Sequence, residues 1–316
     1  MRLAGLTSAL LLAAACTTTP APVPAVSPPE REFAEPETER SCLTFLTLKE
    51  PGPARDEAFA DIEQVMLTYI LLSMPNCLDS PDPVIRDGYA FEILSLILRA
   101  GDQSEETVRT LMTRLLADLA SAGEDKNGFR GPFAALALAE VARVDRITPF
   151  LSEEDRWDLL MAAKTYLGGL TDYRGYSSTE GWRHGVAHTA DLLMQMSLNS
   201  HLTKPQAEEI LAAVATKVGT PDHAYIFGES ERLAAPITYL AFKETFTAEE
   251  WAAWFQSLWP ADDPLRETAY RSEAALTKLH NLRAFAQSVY VNAVASNDDR
   301  MKPVAGAAFQ FLNQLP

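Results

Sequence analysis

From residue 100 onward the apolar positions recur at helical spacing. Four runs show it clearly: TVRTLMTRLLADL, RWDLLMAAKTYL, AEEILAAVATKV and WAAWFQSLW. Each places apolar side chains three and four apart, which lines them along one side of an α-helix. A start signal precedes each run. Asp102 stands three residues before Glu105, Ser152 before Asp155, Thr203 before Gln206 and Thr247 before Glu250. These pairs read as capping boxes, in which a short oxygen-bearing side chain satisfies free amides of the first turn. Alternating β-branched stretches are almost absent, so strands are not expected.

A second, more apolar set of segments lies between these helices. They are RDGYAFEILSLIL, RGPFAALALAEVA, RHGVAHTADLLMQ, RLAAPITYLAF and RAFAQSVYVNAV. Each opens on an arginine: Arg86, Arg130, Arg183, Arg232 and Arg283. Successive arginines are 44, 53, 49 and 51 residues apart. Helix pairs repeated at about this period predict an all-α fold, an α-solenoid of stacked helix pairs of the HEAT or armadillo kind. The period is longer and less even than those repeats show, so an irregular helical bundle is the alternative. In either case the arginines are suited to ion pairs with acids near neighbouring helix ends.

The segment GWRHGVAHTADLL (181–193) carries two of the five histidines. On a helix running from Trp182 to Leu198, His184, His188, Asp191 and Gln195 share one narrow polar stripe. Trp182, Val186, Ala190 and Leu193 fall opposite them. The expectation is that the stripe faces away from the core. It admits three readings: a solvated face, a polar patch on the inner face of the solenoid, or a metal or general-base site. Two histidines four apart can hold a divalent metal, with Asp191 completing the set or orienting a ring. The H-E-x-x-H glutamate is missing, since Gly185 follows the first histidine, so hydrolysis would need a base from elsewhere. Glu92, Glu140, Glu229 and Asn281 are the candidates to converge on the stripe. Glu140 stands almost alone in an apolar run and needs a partner, because an unpaired buried carboxylate is costly. Glu229 and Glu231 suit a helix start. Asn281 reads equally as a cap or a ligand contact. EDKNGFRG lacks calcium-loop spacing, and the tryptophans of WAAWFQSLW read as packing.

The ends and the composition change the setting. MRLAGLTSALLLAAAC has one early positive charge, an apolar run too short to span a bilayer, and small residues leading into Cys16. It resembles a bacterial lipoprotein signal, with Ala13 where leucine is more usual. That resemblance implies removal of residues 1–15 and lipidation of Cys16. An ordinary secretory signal cleaved after A-x-A is the alternative. The stretch from 16 to 40, rich in Pro, Thr and Ala, fits an extended tether before a single helical-repeat domain over 41–316. Thr17 after the cysteine favours the outer membrane, so the expected location is the periplasmic face of a Gram-negative cell envelope. With Cys16 acylated, Cys42 and Cys77 remain as an expected disulfide closing a 35-residue separation, which would contribute about 3–4 kcal/mol on the chain-entropy model. Two free buried thiols are the alternative. The formal charge of −16 argues against nucleic acid and against direct adhesion to anionic lipid.

With these residues in view, the chain resembles an uncharacterised bacterial family of helical proteins, a domain of unknown function. The resemblance runs over roughly 42–295, through RDGYAFEILS, DYRGYSSTEGWRHGVAHTADLL, FGESERLA and NLRAFAQSVY in that order. Its most specific residues are Arg174, Gly175, Gly181, Trp182, His184, His188, Asp191 and Leu192. Gly131 and Pro132 depart from the family pattern. The resemblance implies an all-helical, HEAT-like fold and no established activity. The reading that follows is a protein- or peptide-binding module that uses its inner face. Its candidate contacts are His184, His188, Asp191, Trp182, Arg174, Glu92, Glu140 and Asn281. The rival is a metal-dependent hydrolase centred on His184, His188 and Asp191. No other cofactor is implied.

Overall fold

The computed structural model describes residues 62–316, all within one unit that spans Glu35–Pro316. Signal, tether, Cys16 and Cys42 lie outside the described residues. Cys77 is buried and disulfide-bonded. The fold is all-α apart from one small hairpin. Helix α1 spans Gln64–Ser73, and α2, Glu92–Ala100, follows a π-helical turn over Arg86–Phe91. Then come α3 (Glu105–Ala120), α4 (Arg130–Ile147) and α5 (Glu153–Gly169). The hairpin strands are β1 (Tyr176–Ser177) and β2 (Gly181–Trp182). The chain continues through α6 (Gly185–Leu198), α7 (Lys204–Val218), α8 (Glu229–Phe242) and α9 (Ala248–Ser257). It ends with α10 (Glu273–Ala295) and α11 (Lys302–Gln314). No helix of the described residues is long and apolar enough to cross a membrane.

Three of the expected capping boxes are present, at Ser152/Asp155, Thr203/Gln206 and Thr247/Glu250. The fourth is corrected: α3 is capped by Ser104, whose hydroxyl accepts from the Thr107 amide, and not by Asp102. Ser104 is simply the residue adjacent to the first helical turn, where a cap must sit.

The helices arrange themselves in the order that the two sets of segments suggest. The apolar set packs in chain order: α4 against α2, α6 between α4 and α8, and α8 between α6 and α10. The capped set runs beside it, with α5 against α3 and α7 against α5. Ion pairs join successive members of the capped set: Arg109 to Asp155, Lys164 to Glu209, and Lys204 to Glu250. These partners are separated by 46, 45 and 46 residues. Such solvent-accessible, at most half-buried pairs contribute little energy, but they mark a steadier period than the arginines do. One hydrophobic core runs continuously through the described residues from Ile70 to Phe311. Trp251 and Trp259 are buried in it, as the packing reading of those tryptophans expects.

Candidate functional site

The site is built where the hairpin crosses the start of α6. Gly181 has φ +71°, a left-handed conformation that side chains disfavour, and it reverses the chain between β1 and β2. A Cβ there would come within 3.0 Å of the Arg86 guanidinium. The pairing continues past the strands, with the Arg183 amide donating to Gly175 O at 3.0 Å and the His184 amide to Arg174 O at 3.1 Å. Gly175 also makes room for Phe227, since a Cβ would fall 2.1 Å from that ring.

This hairpin corrects the helix expected from Trp182 to Leu198. Trp182 ends a strand, and His184 stands outside the helix with φ 58° and ψ 38°. A non-glycine residue in that region is uncommon, and such strain concentrates at functional sites. The polar stripe is broken accordingly. His184 and His188 are both buried, at 7% and 8% exposure, so the expectation that they face away from the core is wrong. His188 lies in the first turn of α6, where its Nδ1 meets the Pro132 carbonyl at 3.2 Å and its ring meets Phe133 edge-on. Asp191 ion-pairs with Arg232 of α8 at 2.5 Å. Burial pushes its carboxyl upward against the pull of Arg232. Gln195 accepts from Arg146 of α4. The lower part of the stripe therefore stitches α6 to its neighbours.

Among the described residues no group of three or more His, Cys, Asp or Glu side chains is placed to hold a metal ion. His184, His188 and Asp191 do not form the expected set, because the αL turn at His184 takes it out of helical register and Arg232 occupies Asp191.

The carboxylate that does approach the histidines is Glu229. Its Oε1 is 3.7 Å from His184 Nε2, and both side chains are almost fully buried. Glu229 opens α8 after Gly228, whose φ is +88°, and its other oxygen accepts from the Phe227 amide at 2.9 Å. At 3.7 Å the pair is too long for a hydrogen bond, and His184 Nε2 has no hydrogen-bond partner among the described residues. Burial, with a smaller part from Arg232, lowers the His184 pKa despite the opposing pull of Glu229. Trp182 stacks on His184 at 4.7 Å, and Phe227 meets Trp182 edge-on at 5.9 Å.

Two guanidinium groups lie over the ring of Phe129. Arg86 lies 4.0 Å and Arg183 4.2 Å from its ring centroid. Arg86 is wholly buried and donates to Asp87, to Ser80 O and to Glu180 O. Arg183 donates to Asn127 O at 2.8 Å and pairs with Glu180. Asp87, Glu180 and Phe129 were not singled out in the sequence. The available signal was that Arg86 and Arg183 both open segments of the more apolar set.

The remaining candidates are distributed. Arg174 clamps Asp172 and reaches Asn127 O. Glu140 is paired with Arg99 of α2, as its isolation in an apolar run requires. Glu92 opens α2, half-buried. Asn281 is not a helix cap. It lies inside α10, fully buried, and accepts from the Tyr225 amide while donating to Thr220 O and His223 O. It thereby fixes the loop that delivers Phe227 and Glu229 to His184.

His188 gives a pH-dependent prediction. Burial foremost, then the charge of His184, pushes its pKa down to about 3. An unfolded histidine titrates near 6.5. Below that pH the unfolded chain takes a proton that the folded chain refuses, so stability is complete above about 6.5 and lost on acidification. The slope approaches about 1.4 kcal/mol per pH unit. Urea titrations of the wild type and His188→Gln should show the wild type losing about 2 kcal/mol more between pH 7 and 5. Equal losses would place the acid sensitivity elsewhere.

The fold and site thus define an all-α protein with a hairpin-capped polar cluster. Residues 115–291, more than half of the chain, match the family described as "Protein of unknown function (DUF2785)", and the chain belongs to it. No curated protein and no solved structure matches the chain.

Proposed function

We propose that this chain is a lipid-anchored, α-solenoid protein of the Gram-negative cell envelope that binds a protein or peptide partner. Binding is through the hairpin end of its more apolar helix row. The side-by-side order of the two helix sets and the regular ion-pair ladder support stacking in pairs. The observation that carries the binding reading is an exposed ring cluster on a rigid base. Tyr176 and Trp182 face each other across the hairpin at 5.1 Å, 52% and 38% exposed, and Ile226, beside Phe227, is 70% exposed. Aromatic side chains held rigidly in this way are what interface hot spots are made of. The partner segment is basic: the chain is strongly acidic, the half-buried Glu180 flanks the rings, and indole and phenol faces attract cations.

The metal-dependent hydrolase has less support, since no group of three or more metal-ligating side chains comes together among the described residues and Asp191 is paired with Arg232.

A photo-cross-linking residue in place of Tyr176, in cells, tests the binding reading. It should give discrete adducts that the same residue in place of Trp157, also exposed but on α5, does not give. Identical patterns at the two positions, or none at 176, would refute it. In the same cells Cys16→Ser should move the protein out of the membrane fraction, and retention there would remove the lipid anchor.

A further inference from the structure

Between the C-terminal ends of α3 and α5 and the loop after α5 lies a cleft of about 610 Å³. That volume suits a small molecule, and such sites combine apolar walls with a few polar groups that fix orientation. Leu116 and Leu119 of α3 and Met161 and Ala162 of α5 supply the apolar walls. At the other end stand Asp125, Tyr166, Asp172 and Arg183.

The three charged groups at that end are already engaged. Asp172 is held by Nε and Nη2 of Arg174. Asp125 accepts the Asn127 amide on one oxygen and the Phe129 and Arg130 amides on the other. Arg183 donates to Asn127 O and pairs with Glu180. Tyr166 differs from them. Its hydroxyl makes no hydrogen bond to the described residues, yet the residue is only half-buried and the oxygen is not sealed from solvent. A Cβ at Gly131 or Gly185 would come within 2.7 or 3.1 Å of that oxygen, so the starts of α4 and α6 stay bare around it. Burial foremost, then Asp172 and Asp125, raises the phenol pKa. The hydroxyl therefore keeps its proton at neutral pH and is free to donate it in a hydrogen bond.

We propose that this cleft binds a neutral, single-chain amphiphile, with its apolar body along α3 and α5 and one uncharged head oxygen accepting from the Tyr166 hydroxyl. An ammonium or carboxylate head would leave water and meet no free opposite charge, which costs more than placing an alcohol there. Nothing in the hairpin reading requires this site.

Decanol, decylammonium and decanoate share one chain and differ in the head, so they probe the proposal on the wild-type protein. Calorimetric titration of the full chain at pH 7, below the solubility and micelle limits, should show single-site binding of decanol. Both ions should bind at least ten-fold more weakly. Tyr166→Phe removes only the hydroxyl and should weaken decanol about five-fold, the worth of one hydrogen bond. Gly123 and Gly169 line the cleft, and a Cβ at either meets nothing within 4 Å. Gly123→Phe and Gly169→Phe are thus two independent ways to fill the space, and each should weaken decanol at least ten-fold with a thermal midpoint within a few degrees of wild type. Either ion binding as tightly as decanol, or decanol indifferent to Tyr166→Phe, would overturn the neutral head. Decanol unaffected by both filling changes, or not bound by the wild type at all, would overturn the site.

Discussion

Asp145→Ala should destabilise the domain by about 3–5 kcal/mol, the range for breaking a buried ion pair from one side. Asp145 is 1% exposed at the end of α4. Its two oxygens accept from the Phe150 and Leu151 amides, from Nε and Nη2 of Arg156, and from Asn199 Nδ2. One carboxylate therefore joins α4, the following loop, α5 and the residue that ends α6. Its removal strands the Arg156 charge, which is itself buried, together with two amides and an amide side chain. Burial alone would raise this carboxyl, but Arg156 and the two backbone amides outweigh it and hold the group below its ordinary value. The contribution is therefore present above about pH 4 and lost as the pH falls through the depressed value. Urea unfolding at pH 7 measures the effect. A loss below about 1 kcal/mol would mean that Arg156 finds water or another partner, and the joint would not be structural. The double change Asp145→Leu/Arg156→Met should recover part of the loss, because no buried charge then remains unpaired.

The helices were legible because each apolar run satisfies a local rule, period and cap together. Ser152, Thr203 and Thr247 could be placed from four residues of sequence. The site was legible only as a set of segments. GWRHGVAHTADLL looks helical throughout, since His184, His188 and Asp191 keep helical spacing. The chain nevertheless enters that helix through an αL residue, and nothing in the spacing reveals it. Gly175 and Gly181 were the clues: one clears space for Phe227 and the other turns the hairpin. The burial of His188 depends on Pro132, 56 residues away, and the Arg86–Glu180 contact spans 94 residues. Such pairings are set by how helices stack, and local pattern carries no information on them. Glu229 could be proposed as a partner of the histidines from its residue type. Its approach to 3.7 Å depends on Asn281 holding the loop before it.

Arg86→Lys should be nearly as damaging as Asp145→Ala, about 3–5 kcal/mol, although it keeps the charge. The guanidinium is fully buried and forks between the two oxygens of Asp87, while also reaching Ser80 O and Glu180 O. Its flat face covers Phe129 at 4.0 Å and Phe133 at 4.8 Å. An ammonium group cannot reproduce that planar fork or the stacking. The bond to Glu180 O is the one that reaches the hairpin turn, so its loss should be felt at the rings as well as in global stability. Hydrogen exchange separates the two effects. The Arg183 and His184 amides, bonded to Gly175 O and Arg174 O, should lose protection in Arg86→Lys well before the amides of α10 do, because local opening is cheaper than global unfolding. The cross-link at position 176 should weaken in parallel. Asp87→Asn is the control: Asp87 is 35% exposed in its side chain and water can replace it, so its effect should be smaller. If Arg86→Lys leaves both the urea midpoint and the hairpin protection unchanged, the guanidinium is not the anchor, and the rigidity of the Tyr176–Trp182 surface must come from Phe227 and Gly175 alone.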